Sequence, residues 1–286
     1  MNIFTKISSR IYIFFTTKTV TGPYLYFQRL FILITLQSIL SKVNKTSAKK
    51  LNAFISTKND YEVVIKNYLG LFQVNAKNDS FTKSIPTFEQ NHHHWLTTPK
   101  QKSTFIDIGS NIGFYSILAI KQYGYSNCYS FEASSETFAR LQKNIQLNEL
   151  TEQVSLHKIA LSDKAGQVAF YNKPVHTGGS SLEIPKKLDN HDKEIVDTLQ
   201  FDTFVKRHEI NVKKINFIKI DVEGHEYNVL LGMKETLNNL PSGTCIFIEI
   251  HPKTKTAQST HKILTTSRFI LKKQTSQNNF LYQKNI

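Results

Sequence analysis

Cysteine is nearly absent from this 286-residue chain: there are two, Cys128 and Cys245, each in an apolar, strand-like run. Two isolated thiols make no disulfide framework and no zinc site, so they read as reduced core residues in a reducing compartment. Long apolar runs are missing too. The stretch Tyr24–Leu40, YLYFQRLFILITLQSIL, is broken by Gln28, Arg29 and Gln37, and its clean part, Leu30–Leu36, is too short to span a bilayer. A signal peptide would carry its apolar core nearer Met1 and close in small residues, and neither pattern is present. The expectation is a cytoplasmic protein, with association at a membrane surface left open. Acids are missing from residues 251–286, which hold seven Lys/Arg, and residues 1–60 hold nine Lys/Arg against one acid. The net charge of +14 is therefore +8 and +7 in the two flanks, leaving the middle at −1. A nucleic-acid enzyme more often sets its basic residues round its active site. Basic flanks suit docking on an anionic surface, a membrane leaflet or an acidic polymer, and equally suit solvated lysines in loops and tails.

What is present builds a core: 40% of the residues are hydrophobic and 12% aromatic. Residues 1–60 read as a basic, apolar extension of one or two helices packed on the rest, with an interfacial membrane helix as the alternative. Residues 61–286 read as one domain. YEVVIKNYLGLFQVN, from Tyr61, alternates in part and contains Gly70, which predicts a hairpin. The run His92–His94 invites a metal, but consecutive residues do not share a helical face and no carboxylate stands at ligand spacing, so a solvated loop or helix end is expected.

From residue 103 to 250 strands and helices alternate. Strands are expected at Thr104–Ile108, Asn127–Glu132, Val154–Leu161, Ile215–Val222 and Cys245–Ile250. SSETFARLQKNIQLNEL puts Phe138, Leu141 and Ile145 on one face, with Ser134 or Ser135 as N-cap. GHEYNVLLGMKETLNNL puts Leu230, Met233, Leu237 and Leu240 on one face and stops at Pro241-Ser242-Gly243. RFILKKQ and NNFLYQK close the chain as an antiparallel hairpin. This alternation predicts an α/β fold, a mainly parallel sheet covered by helices on both faces, with the functional site along the edge of strand C-termini. Between Phe170 and Thr198, Gly178-Gly179-Ser180-Ser181 reads as a loop, and His176 and Ser180 are candidates to touch substrate, although loop polarity explains them equally.

The stretch FIDIGSNIGFYS, Phe105–Ser116, is a buried strand, a glycine turn and a helix start. Gly109 and Gly113 flank Ser110, Asn111 and Ile112, and glycine lets a ligand approach the backbone closely. The dinucleotide fingerprint G-x-G-x-x-G is missing, since Asn111 takes the second glycine's place and the third is absent. No G-K-[ST] follows, so this is not a phosphate loop. The form D-x-G-x-N-x-G suits a ligand with a carboxylate and an amine. Glu132 ends the next strand, where an acid accepts from both hydroxyls of a ribose.

Together FIDIGSNIGFYS, FEAS, NIQLNEL, IALSDKAG, NFIKIDVEGHEYNVLLG and IFIEIH resemble the class I S-adenosylmethionine-dependent methyltransferases, and more closely the FkbM family. The resemblance covers roughly residues 61–286 and is specific only with the motifs in order. The family's usual GANIG stands here as GSNIG, with a small residue kept at Ser110. The resemblance implies a Rossmann-like, seven-stranded sheet with S-adenosyl-L-methionine as cofactor. Asp107, Gly109, Ser110, Asn111 and Gly113 would wrap its methionine part, Glu132 would hold the ribose with Ala133 lining it, and Ala160 with Ser162 would sit by the adenine. Asp163 either joins them or is a turn residue.

Chemistry is expected in KIDVEGHE and IEIH, where Asp221, Glu223, His225, Glu226, Glu249 and His251 fall at strand ends. Methyl transfer to a hydroxyl needs an in-line acceptor and a base. His225 or His251 would serve as base with Asp221 orienting it, or Asp221, Glu223 and Glu249 would hold a divalent cation that lowers the hydroxyl pKa. The bland alternative is that Glu226 caps its helix and Glu249 pairs with a lysine. The function implied is O-methylation of a sugar hydroxyl in a glycan, polysaccharide or glycolipid, or of a small metabolite. An RNA methyltransferase would exploit the charge, but DVEG stands where base amino-methylation uses Asn/Asp-Pro-Pro-aromatic. An inactive binding module of the same fold is the non-enzyme alternative, against which the intact cofactor motifs count.

Overall fold

The computed structural model describes residues 18–21, 62–75, 90–99, 101–173, 180–183, 192–252, 254–275 and 278–286. These fall in two compact units, one up to Gln90 and one from Asn91 onward.

In the first unit, β1 (Lys18–Thr21), β2 (Glu62–Lys66) and β3 (Leu71–Asn75) form an antiparallel sheet in that order. Alternation buries Val63 and Ile65 on β2 and Phe72 and Val74 on β3. The expected hairpin is present, and Asn67 closes it: its Oδ1 accepts from the amides of Leu69 and Gly70 at 2.8 and 3.1 Å. β1 is a strand within the extension expected to be helical, as its β-branched run Thr19-Val20-Thr21 favours. The rest of that extension, with its candidate membrane helix, lies outside the described residues. Among the described residues no helix is long and apolar enough to cross a membrane.

The second unit holds α1 (Gln90–His93), β4 (Thr104–Ile108), α2 (Phe114–Lys121), β5 (Asn127–Phe131), α3 (Ser135–Leu147), β6 (Val154–His157), β7 (Ala160–Leu161), β8 (Gly166–Asn172) and β9 (Asp192–Leu199). It continues through α4 (Phe201–Arg207), β10 (Ile215–Ile220), α5 (Glu226–Leu231), α6 (Lys234–Asn239), β11 (Cys245–Glu249), α7 (Ala257–Thr266), β12 (Phe269–Gln274) and β13 (Asn279–Lys284). Seven strands make one sheet in the order β12-β13-β11-β10-β4-β5-β6. The neighbours from β11 to β6 run parallel, and β13 is antiparallel to both β11 and β12. The mainly parallel sheet and its closing hairpin are as the sequence predicts. Strand order reverses between β4 and β10, and the C-terminal ends of those two strands form the crevice where open α/β sheets bind ligands.

The central strands carry apolar residues on both faces because helices cover both, and Ile106, Ile108, Ile218, Ile220, Ile246 and Ile248 are all buried. Ser134 is the N-cap of α3, its hydroxyl accepting from the Thr137 amide. Both cysteines are free and buried.

Four expectations change. The strand Val154–Leu161 is two: β6 edges the large sheet, while β7 joins a second sheet, β7-β9-β8. Around the expected loop Gly178–Ser181, where no strand was expected, the chain supplies β8 and β9 to that sheet; His176 and the glycine pair lie outside the described residues. The single helix expected after Gly224 breaks into α5 and α6. A Cβ on Gly232 would stand 1.9 Å from the Ser162 carbonyl oxygen, and Asp202 draws the next turn off by accepting from the amides of Glu235 and Thr236 at 2.9 and 2.8 Å. The histidine run does end a helix, α1, and His94 is exposed, but His92 and His93 are buried rather than solvated: His92 packs on Trp95 and Phe247, and His93 on Phe114 and Tyr115. Imidazole rings fill aromatic gaps as readily as they reach water, which the local sequence does not reveal.

Candidate active site

The turn after β4 is built by close backbone approach. Gly109 has φ +75°, and a Cβ there would lie 1.9 Å from the Asp221 carbonyl oxygen, so the turn rests on the backbone that leaves β10. The amides of Gly109 and Ser110 donate to the Phe131 carbonyl at 3.0 and 2.9 Å. Gly113, φ +87°, opens α2, and a Cβ there would meet Leu141 of α3 at 2.6 Å. Asn111 also has a left-handed backbone, φ +50°, a conformation asparagine tolerates better than most residues. Buried Asn144 on α3 pins the turn by donating to the Ile112 carbonyl at 2.9 Å.

Beneath the turn lies a buried charge network. Asp107 is fully buried and accepts from Ser116 Oγ, which also meets Ser130 Oγ. Burial holds the Asp107 pKa above the usual carboxylate value despite Lys219 and Ser116, which pull it down. Lys219 on β10 is buried as well; its Nζ donates to the Gly109 carbonyl at 2.7 Å and lies 3.3 Å from Asp221 and 3.8 Å from Asp107. A lysine in the middle of an apolar strand, between two aspartates on neighbouring strand ends, is the sequence signal that points to it. Asn144 and Ser116 lie in the stretches NIQLNEL and FIDIGSNIGFYS, which give no sign of these contacts, and nothing in the sequence points to Ser181.

Glu132 follows β5. Its carboxylate accepts from the Asn111 amide at 2.9 Å and the Ser134 amide at 3.0 Å, which fixes both oxygens at the rim of the turn. Ala133 and Ala160 share a small cluster with Phe170 and Val196. The residues therefore fit the S-adenosylmethionine that the resemblance implies. The turn has no room for a Cβ at Gly109 or Gly113, and Glu132 is an oriented acceptor at the second strand end.

Across the crevice the residues that follow β10 and β11 form two groups that point apart. His251 Nε2 lies 3.5 Å from Glu223 and 3.8 Å from Glu249, and its Nδ1 meets Asn278 Nδ2 at 3.1 Å. The hydrogen bond to Glu223, with the charge of Glu249, pushes the His251 pKa up to about 9. His225 instead meets Ser162 Oγ at 2.9 Å and Glu183 at 3.2 Å. Asp221 pairs with Lys219, not with a histidine. Glu226 is buried and accepts from the amides of Val222 and Gly224, closing the loop ahead of α5. Among the described residues no group of three or more His, Cys, Asp or Glu is arranged to hold a metal ion.

A reversed last strand in an otherwise parallel sheet, a glycine turn after the first parallel strand and an acid after the second define a Rossmann-like methyltransferase fold. The chain belongs to the FkbM methyltransferase family, whose domain matches residues 107–277. It is 32% identical over 156 residues to the hexuronic acid methyltransferase AglP of Haloferax volcanii, covering 54% of this chain and 59% of that protein. It is 30% identical over 148 residues to methyltransferase 1 of Beauveria bassiana, covering 46% of this chain and 59% of that protein. The chain thus spans about three fifths of the length of these relatives. Among solved structures, an FkbM methyltransferase from Methylobacillus flagellatus KT aligns over 69% of this chain and 51% of that one, with 16% identity and a TM-score of 0.44.

Proposed function

We propose that this protein is an S-adenosylmethionine-dependent O-methyltransferase whose acceptor is a sugar hydroxyl, in a glycan, glycolipid or small glycoside. The observation that carries the reading is the crevice itself: the Gly109–Gly113 turn and Glu132 lie on one side of the strand-order reversal, and the Glu223–His251–Glu249 cluster follows the strands on the other. The relative named as a hexuronic acid methyltransferase supports a sugar acceptor. When bound, S-adenosylmethionine supplies an electrophilic methyl group. Glu132 would hold the ribose, and the turn would hold the amino-acid end. Asp107 and Lys219 keep the turn seated on β10.

The acceptor's proton needs somewhere to go. With its pKa at about 9, His251 already carries a proton at neutral pH, so the free base of the cluster is a carboxylate, Glu223 or Glu249. A carboxylate suffices, because the acceptor oxygen becomes strongly acidic as its new bond forms. The His251 imidazolium holds both carboxylates in place.

Calorimetry with S-adenosylmethionine on the wild type and on Glu132→Ala tests the first half. Binding that the substitution weakens at least tenfold is expected, the loss of a charge-assisted hydrogen-bonded pair. No binding to folded wild type refutes the cofactor. Methyl transfer to glucuronides but not to RNA tests the second half, and transfer to RNA alone would overturn the acceptor class.

A further inference from the structure

Glu223, in the candidate cluster, has φ +53° and is followed by Gly224 at φ +106°. A glutamate pays for a left-handed backbone, and such residues persist where their surroundings over-determine them. On the inner side, buried Glu226 accepts from the amides of Val222 and Gly224, one on each side of Glu223. On the outer side stands Ser181. Its amide and carbonyl are both bonded to Tyr171 of β8, at 3.2 and 2.9 Å, an isolated bridge that ties its backbone to the edge of the small sheet. Its buried hydroxyl donates to the Glu223 carbonyl at 2.8 Å and accepts from the Glu183 amide at 3.0 Å. Glu183 then covers Gly224, its Cγ lying 3.4 Å from where a Cβ on that glycine would be, and meets His225.

We infer that Ser181 is a positioning residue for methyl transfer: its hydroxyl holds the Glu223 carbonyl, and with it the left-handed turn that aims the Glu223 carboxylate at His251. The inference rests on the reaction proposed above. Ser181, between β8 and β9, thus reaches the acceptor side of the crevice through a hydrogen bond to the main chain. Without the hydroxyl the Glu223 peptide loses its outer anchor, and its carboxylate leaves His251 for part of the time. On the methyl-donor side the Gly109–Gly113 turn is held through Asn144, Glu132 and Lys219 rather than through the Ser181 hydroxyl, and it should keep its place.

The test compares wild type with Ser181→Ala and Ser181→Thr. Amide hydrogen exchange across residues 221–226 is expected to rise about tenfold in Ser181→Ala, the worth of one buried hydrogen bond, and to stay within about twofold in Ser181→Thr. With a glucuronide acceptor, kcat should fall about tenfold in Ser181→Ala while KM for S-adenosylmethionine stays within about twofold, and Ser181→Thr should restore kcat. Unchanged exchange in Ser181→Ala overturns the inference, as does a loss in KM for the donor equal to that in kcat. Failure of Ser181→Thr to restore kcat assigns Ser181 a merely structural role and also overturns it. If Ser181→Ala does not fold, Ser181→Cys, a weaker donor of similar size, takes its place in both measurements. If the folded wild type transfers no methyl group, the proposed function fails, and the exchange measurement still decides whether Ser181 holds the turn.

Discussion

Replacing Glu226 by glutamine should change how the protein's stability depends on pH. Burial, with the charge of Asp221 adding, raises the Glu226 pKa from 4.5 to about 7, against the backbone amides that pull it down. A carboxyl whose pKa is raised by folding contributes stability that is complete below its unfolded value and lost as pH rises through its folded value. The window here runs from about pH 4.5 to pH 7, and a shift of about 2.5 units corresponds to about 3 kcal/mol. Glutamine keeps an oxygen that accepts from the Val222 and Gly224 amides and cannot ionise. Urea unfolding of both proteins at pH 4.5, 6 and 8 reads the difference directly. Relative to Glu226→Gln, the wild type should lose about 3 kcal/mol between pH 4.5 and pH 8. His251, raised to about 9, loses its own stabilisation between about pH 6.5 and pH 9 in both proteins, somewhat less in Glu226→Gln, which lacks the Glu226 charge that adds to the rise, and being half-exposed it contributes less. A wild type–variant difference that stays constant with pH would refute the desolvation of Glu226.

Lys219→Met should destabilise the protein by about 3–5 kcal/mol in urea unfolding, because Asp107 is left buried without its cation. Adding Asp107→Asn should recover most of that loss, and independent, additive effects would argue against the network. Gly232→Ala should cost about 3 kcal/mol by the same assay, since its methyl group would meet the Ser162 carbonyl, a backbone group that cannot swing aside as a side chain would. A neutral effect would mean that the break between α5 and α6 has another origin.

The order of strands and helices from β4 to β11 was legible because parallel strands buried on both faces leave continuous apolar runs, as in TFIDI and CIFIEI. The glycine turn was legible because only glycine suits the close approach at Gly109 and Gly113. β8 and β9 were not. Their residues are half-exposed, with Lys193, Glu194 and Asp197 along β9, and carry little apolar alternation. The break at Gly232 was hidden because the Ser162 carbonyl packed against it comes from a segment some seventy residues earlier.

The sequence by itself therefore determined the fold class, the turn and the set of acids and histidines that gather at one sheet edge, since each follows from short-range spacing and burial. The tertiary structure alone decided how that set divides. It paired His251 with Glu223 and Glu249, and sent His225 to Ser162 and Glu183. It also buried Lys219 beneath the turn. The physical reason is that a histidine's partners and a lysine's burial depend on which distant strands and loops meet at the crevice, and residue spacing carries no record of that meeting.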